Sequence, residues 1–242
     1  MPISCIFEKK IGMTSTSFVQ FLTRLGNESL SVLATTIQKS DYVALDLSVT
    51  NEALKTVDVS SSEKLGVFID AHIKNNKAKV AFGGYLETRG IYNRSDYFNQ
   101  QNPETERNIH LGIDLWIAAE TPIYTPLDGE VHSFQNNTNF GDYGPTIILK
   151  HIMDGFEFYT LYGHLSLTSI QNIQVGQKFA KGAQIATLGD ANVNGDYPPH
   201  LHFQIIKDMQ DGYGDYRGVA SQKELAFYKE NCPDPNLLLR LN

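Results

Sequence analysis

The chain has 242 residues, with 20 Lys and Arg against 27 Asp and Glu, for a formal net charge of −7. Its 41% hydrophobic content, with 12 Tyr and 13 Phe, excludes intrinsic disorder, and the acidic balance argues against bulk nucleic-acid binding. The length suits one large or two small folded units with a sizeable core.

The first residues, 1–10, hold a short apolar stretch broken by Glu8, Lys9 and Lys10, with no apolar core and cleavage site of a secretory leader behind it. A cytoplasmic protein is the default expectation, and an extracytoplasmic one if a leader precedes this sequence. Met13 is an alternative start. No run approaches the roughly 18–20 apolar residues of a membrane span. Cys5 and Cys232 lie near opposite ends and form no Cys-x-x-Cys pair. A thiolate metal site is therefore excluded, and two buried free thiols are expected over a disulfide.

From Ser17, the residues Phe18, Phe21, Leu22 and Leu25 recur at helical spacing, and Gly26 supplies a stop. Residues 42–49 predict a strand. Ser62 is placed to cap a second helix, whose Leu65, Phe68, Ile69 and Ile73 form one apolar face. A further strand is predicted over 79–82, ending at Gly83 and Gly84. Residues 88–108 are polar, carry Arg89, Arg94 and Arg107, and read as a long connecting loop. From about Ile109, short apolar or alternating runs are divided by Gly, Asn, Asp and Pro: 109–117, 129–134, 146–151, 156–161, 184–188 and 200–206. This texture predicts antiparallel β structure, a sandwich or a barrel. The tail from Cys232 reads as a loop followed by an apolar anchor. The fold class expected is α+β: a mixed α/β region at 1–84, a connection at 85–108, and a mainly antiparallel β unit at 109–242.

Three histidine patterns lie in the β-rich part. On a strand, His110, Gly112 and Asp114 share one side while Leu111 and Ile113 face a core. His200 and His202 share a face opposite Leu201 and Phe203. His164 follows the aromatic run ending at Tyr162. Two His and one Asp make a ligand set that zinc accepts, with a fourth position left for water. Two more His beside the ion suit proton transfer, because imidazole titrates near neutral pH. Each short pattern is weak alone; ordinary polar strand residues explain any one of them. Their joint occurrence in one β-rich segment, with apolar residues at the opposite parity, argues for a site. His72, His132 and His151 are read as structural.

Residues 107–206 resemble the lysostaphin/LytM-type zinc metallopeptidases, the peptidoglycan endopeptidase family. The ordered matches are His110 to Leu115, Thr121 to Val131, Tyr143 to His151, Tyr159 to Ser166, Val175-Gly176 through Lys181-Gly182, Gly189, and His200 to Phe203. The resemblance implies a duplicated-hybrid-motif β fold, a twisted antiparallel sheet with a groove across it. It implies zinc bound by His110, Asp114 and His202, with His164 and His200 as catalytic histidines. It implies hydrolysis of an amide bond in peptidoglycan-like or Gly-containing peptides by zinc-activated water. No His-Glu-x-x-His helix is present, so the base is His200 or His164. Two departures from the family pattern lie near the groove: the long stretch 190–199 in place of a short turn, and Gln204 where Glu is common.

The groove walls are expected from 135–145 and 190–199, where Phe140, Tyr143 and Tyr197 are placed to contact a peptide or glycopeptide or to pack their loops. Arg89, Arg94 and Arg107 read as substrate-carboxylate readers or as surface salt-bridge partners. Three competing readings stand beside the enzyme. One is a non-catalytic, zinc-containing peptide- or glycan-binding adaptor or activator of the same fold. Another is a lipoyl or biotinyl carrier, which lacks its hairpin-tip Lys here. A third makes residues 1–80 a pro-segment plugging the groove.

Overall fold

The structure is a computed structural model that describes residues 15–98, 102 and 104–241. Cys5 and Met13 lie outside the described residues, so the readings placed on them are not addressed. The elements run α1 (Ser15–Leu25), β1 (Tyr42–Ala44), α2 (Ser62–Asn75), β2 (Val80–Gly83), β3 (Arg107–His110), β4 (Ile113–Trp116), β5 (Pro122–Tyr124) and β6 (Gly129–Asn137). They continue with β7 (Gly144–Met153), β8 (Phe156–Gly163), β9 (Lys178–Phe179), β10 (Gln184–Thr187), β11 (His200–Ile206), β12 (Val219–Ser221), α3 (Leu225–Asn231) and α4 (Asn236–Leu239). The fold is α+β and mainly antiparallel.

Eight strands form one sheet in the order β1-β2-β4-β11-β8-β7-β6-β9. The barrel expectation is corrected here, because the sheet is open. Its edges are the three-residue β1 and the two-residue β9, which do not pair with each other. Alternating runs look the same in an open and a closed sheet, so the sequence pattern could not separate them. Among the described residues the one parallel pair is β1 with β2, joined through α2 as a crossover connection requires. β2 then pairs antiparallel with β4, setting Gly83 opposite Asp114. The first strands of the chain thus extend the same sheet that carries the histidines.

One face of the sheet holds the largest core. Ile113, Leu115, Leu201, Phe203 and Ile205 meet Phe18, Phe21, Leu22 and Leu25 of α1 there. Phe18 and Phe21 pack against Phe156 and Phe158 at centroid distances of 4.6–5.8 Å. Burying each such side chain contributes roughly 1.5–3 kcal/mol. Gly26 ends α1 as predicted, and its lack of a side chain matters for packing: a Cβ there would lie 2.2 Å from the Leu237 carbonyl oxygen. The tail anchors as expected, with Leu238 and Leu239 buried in this core. The short helix α3 before it had no strong periodic signal.

Four local expectations change. The predicted strand 42–49 stops at Ala44. The Leu45 N–H still donates to the Phe82 carbonyl, but the Leu47 N–H is taken by the Glu87 carboxylate. The cap of α2 is Ser61, whose hydroxyl accepts from the Lys64 N–H, one residue before the predicted Ser62. The run 109–117 is broken between β3 and β4, and β3 pairs with β12 in a separate two-stranded sheet. The stretch 88–98 is not a bare loop: Gly90–Arg94 forms a 3-10 turn that buries Ile91 and Tyr92.

Candidate metal centre

The second face of the sheet carries the polar residues of β4 and β11. In the antiparallel register of these strands, Asp114 lies directly opposite His202, and His200 opposite Trp116. His110 arrives from β3, which Leu111 and Gly112 separate from β4. A Cβ on Gly112 would lie 2.5–2.6 Å from the His202 ring, so only glycine lets that ring lie flat against the backbone. Because the strand breaks here, Leu111 joins a core around Tyr143 and Met209, while Ile113 joins the α1 core. The single-strand reading of 110–114 is corrected accordingly, although the convergence it anticipated is present.

His110 Nε2 lies 2.8 Å from His202 Nδ1, and each lies 3.2 Å from Asp114 Oδ1. These edges compare with about 3.3 Å between ligand atoms of a tetrahedral ion with bonds near 2.0 Å. The outer hydrogen bonds assign the protons. His110 Nδ1 meets the Gly84 carbonyl at 2.9 Å, and a carbonyl only accepts, so Nδ1 carries the hydrogen and Nε2 turns a lone pair inward. His202 Nε2 meets Gln204 Oε1 at 2.9 Å. The orientation of that amide is set by its NH2 group, which donates to the Arg217 carbonyl and to Cys232 Sγ. His202 Nδ1 therefore also presents a lone pair. The second Asp114 oxygen, Oδ2, accepts from Arg89 Nη1 at 2.5 Å, which leaves Oδ1 for the centre.

Three acceptors thus face one another with no proton between them. His110, Asp114 and His202 are each at most 2% exposed, so solvent does not relieve their repulsion. Burial and the Arg89 charge push the His110 imidazole down to about 3, which opposes a proton as the remedy. Burial acts to raise Asp114, but the Arg89 guanidinium bonded to it holds its carboxyl well below the usual carboxylate range. A cation resolves this arrangement, and these three residues can hold one.

His164 and His200 stand beside the group. His200 Nε2 is 3.9 Å from Asp114 Oδ1, and the His164 and His200 rings are 4.2 Å apart between centroids. Each Nδ1–H donates to a backbone carbonyl at 2.8 Å, that of Asn194 for His164 and that of Pro198 for His200. Both Nε2 atoms are left as acceptors. Burial lowers both imidazoles, and for His164 the neighbouring His200 and His202 add to it. His164 sits at φ 62°, in the left-handed region where a side chain is strained, held there by N–H to Tyr143 carbonyl and carbonyl to Gly189 N–H bonds.

All five residues singled out in the sequence are therefore brought together. The arginines differ from expectation. Arg89 is buried, bonded to Glu87 and Asp114 and stacked on Trp116; Arg94 grips Asp196 between the rings of Phe140 and Tyr197. Arg107 donates to the Val219 carbonyl over Tyr97 and Phe98. None of the three is a surface partner. Tyr143 and Tyr197 are buried at the site, whereas Phe140 is exposed. Sequence reasoning missed Glu87 and the carbonyls of Gly84, Asn194 and Pro198. Backbone groups leave no residue-type signal, although the unusual length of 190–199 marked the place. His72, His132 and His151 stand apart: they bond the Ala44 carbonyl, the Ser133 hydroxyl, and the Asp128 carbonyl with Thr160, respectively.

Residues 108–213 match the model of peptidase family M23. Among solved structures, the chain is similar to a zinc-containing peptidase from Vibrio cholerae, at 27% identity and TM-score 0.34 over 43% of this chain. It spans only 31% of that protein's length. It is also similar to the catalytic domain of the antimicrobial peptidase lysostaphin from Staphylococcus simulans, at 23% identity and TM-score 0.40, covering 61% of this chain and 91% of that one. A mutant catalytic domain of the prophage-encoded M23 protein EnpA from Enterococcus faecalis is similar at 21% identity and TM-score 0.36, covering 50% of this chain and 82% of the other. No curated protein matches the chain. No helix among the described residues is long and apolar enough to cross a membrane. The matched segment, 108–213, is the part of the chain that carries the His-Asp-His group.

Proposed function

We propose that the chain hydrolyses a peptide bond, with zinc held by His110, Asp114 and His202 and with proton transfer by His164 and His200. The observation that carries this reading is the inward convergence of two imidazole lone pairs, their ring protons anchored outward, on one oxygen of the Asp114 carboxylate. When bound, zinc supplies a Lewis acid that polarises a carbonyl and lowers the pKa of water from 15.7 to about 7.

The chain's own residues supply the rest. Arg89 holds Asp114 by one oxygen, and Gln204 holds the His202 ring. His164 and His200 are so close that two buried positive charges would repel strongly, so the pair carries one proton at a time. One Nε2 takes the proton of the attacking water as the oxygen–carbon bond forms. The proton then passes to the leaving nitrogen as the carbon–nitrogen bond breaks. Tyr143 lies beside both histidine groups, with its hydroxyl 3.4 Å from His202 Nε2, and borders the space for the substrate. Peptidoglycan-type and Gly-containing peptides are the substrates to which the family points.

The test is metal analysis joined to turnover. The purified protein is expected to hold one zinc per chain and to cleave such peptides in a chelator-sensitive way. A protein that binds no zinc after incubation with the metal, or cleaves equally with chelator present, ends this reading.

A further inference from the structure

The five site residues do not line an open groove. His164 and His200 are 5% exposed, and the three candidate ligands less still. The cavity that touches all five has a volume of about 50 Å³. At roughly 10–15 Å³ for each water-sized group, it holds about four such groups, enough for an amide and a short side chain.

What closes it comes from outside the matched segment. Leu47, Leu65, Ile91, Tyr92 and Phe98 form one wall of the cavity. They belong to a single apolar cluster with Trp116 of β4 and Tyr197 of the 190–199 stretch. The wall is also tied to both loops that flank the site. Arg94 Nη1 pairs with Asp196 at 3.2 Å, and its Nη2 donates to the Asp196 carbonyl. The Ser62 hydroxyl donates to Asp196 Oδ1 at 2.8 Å, and that of Ser95 to the Phe140 carbonyl at 2.6 Å. Behind the wall, β2 is hydrogen-bonded to β4. The wall packs on the sheet through Trp116 of β4; displacing it would uncover that side chain and break the ties to Asp196 and Phe140. A removable pro-segment would not share the sheet in this way.

We infer that this centre is size-selective: it takes short soluble peptides inserted by one end, and it does not act on a peptide strand that continues past the scissile bond on both sides, as in cross-linked peptidoglycan. This inference rests on the peptidase reading for the identity of the reaction, and on the wall for the size limit.

The experiment uses the full chain loaded with zinc and has two arms. In the first, free Gly- and Ala-containing di- to tetrapeptides are compared with the same sequences extended and blocked at both ends, and with insoluble cross-linked peptidoglycan. Short free peptides are expected to be cleaved with at least tenfold higher kcat/KM. Equal or faster action on the blocked peptides or the polymer overturns the size limit. The second arm needs no turnover: binding of acetohydroxamic acid is compared with that of an N-substituted hydroxamate carrying a dipeptide on each side of the zinc-binding group. Acetohydroxamic acid is expected to bind at least tenfold more tightly. If it does while no peptide is cleaved, the peptidase reading falls and the size limit stands. Equal binding, or tighter binding of the extended compound, overturns the size limit whatever the turnover. Ile91→Ala, checked for folding by circular dichroism, is expected to narrow the difference between the two hydroxamates.

Discussion

Two buried histidine environments in this protein make opposite use of the same side chain. His151 on β7 is 1% exposed; one ring nitrogen bonds the Asp128 carbonyl and the other the Thr160 hydroxyl, each at 2.7 Å. Its ring stacks on Phe158, so it is satisfied on every side. His110 and His202 are equally buried, but each spends only one nitrogen on a partner and turns the other toward a carboxylate and a second imidazole. Burial alone does not mark a ligand. An unsatisfied lone pair held against other acceptors does, because leaving it so costs free energy that a cation removes.

The largest test of this contrast is Asp114→Ala. It removes one of the three candidate ligands and leaves the buried Arg89 with Glu87 as its one carboxylate partner. Zinc and turnover are expected to be lost together, and full zinc occupancy measured in the purified variant would break the assignment. His164→Ala is expected to keep zinc while turnover falls about 100- to 10,000-fold, the usual contribution of general acid–base catalysis. Metal analysis beside kinetics separates these two outcomes.

Smaller effects sharpen the comparison. Gln204→Leu removes the acceptor that orients His202 and is expected to weaken zinc binding about 10- to 100-fold in a competition titration. Gln204→Glu, which keeps an acceptor there, is expected to stay within a few-fold of the parent. His151→Phe is expected to leave zinc affinity unchanged and to alter stability instead. Burial pushes His151 down to about 4. The unfolded chain therefore binds more protons between about pH 4 and 6.5, and the stability tied to neutral His151 is complete above that window and lost as pH falls through it. The difference is on the order of 3 kcal/mol. Denaturant unfolding at pH 4.5 and 7 is expected to show a shallower pH dependence in His151→Phe than in the parent.

Much of the site was legible because β11 is a continuous strand. Strict alternation put His200, His202 and Gln204 on one face and Leu201, Phe203 and Ile205 on the other, as the α1 core confirms. The same argument was less secure for 110–114, where the strand breaks and His110 belongs to another sheet. Gly112 was the useful residue there, although its purpose is to admit the His202 ring and not to clear a path along one strand. The arginines were visible as charges and misread as exposed. Nothing local to Arg89 announces that Glu87 and Asp114 will meet it in the interior.

Residue identity and spacing pointed to the five candidate site residues and the β texture, and carried the family resemblance, since these depend on side-chain chemistry and on periods of two or 3.6 residues. Tertiary structure decided the rest. Asn194 and Pro198 orient the histidine pair through backbone carbonyls that every sequence possesses. The open sheet follows from long-range pairing between β2 and β4. The apolar side chains between Leu47 and Phe98 that line the cavity are likewise brought to a centre whose first residue, His110, lies a dozen residues further on. Such contacts are set by packing across the whole chain, and no local pattern carries them.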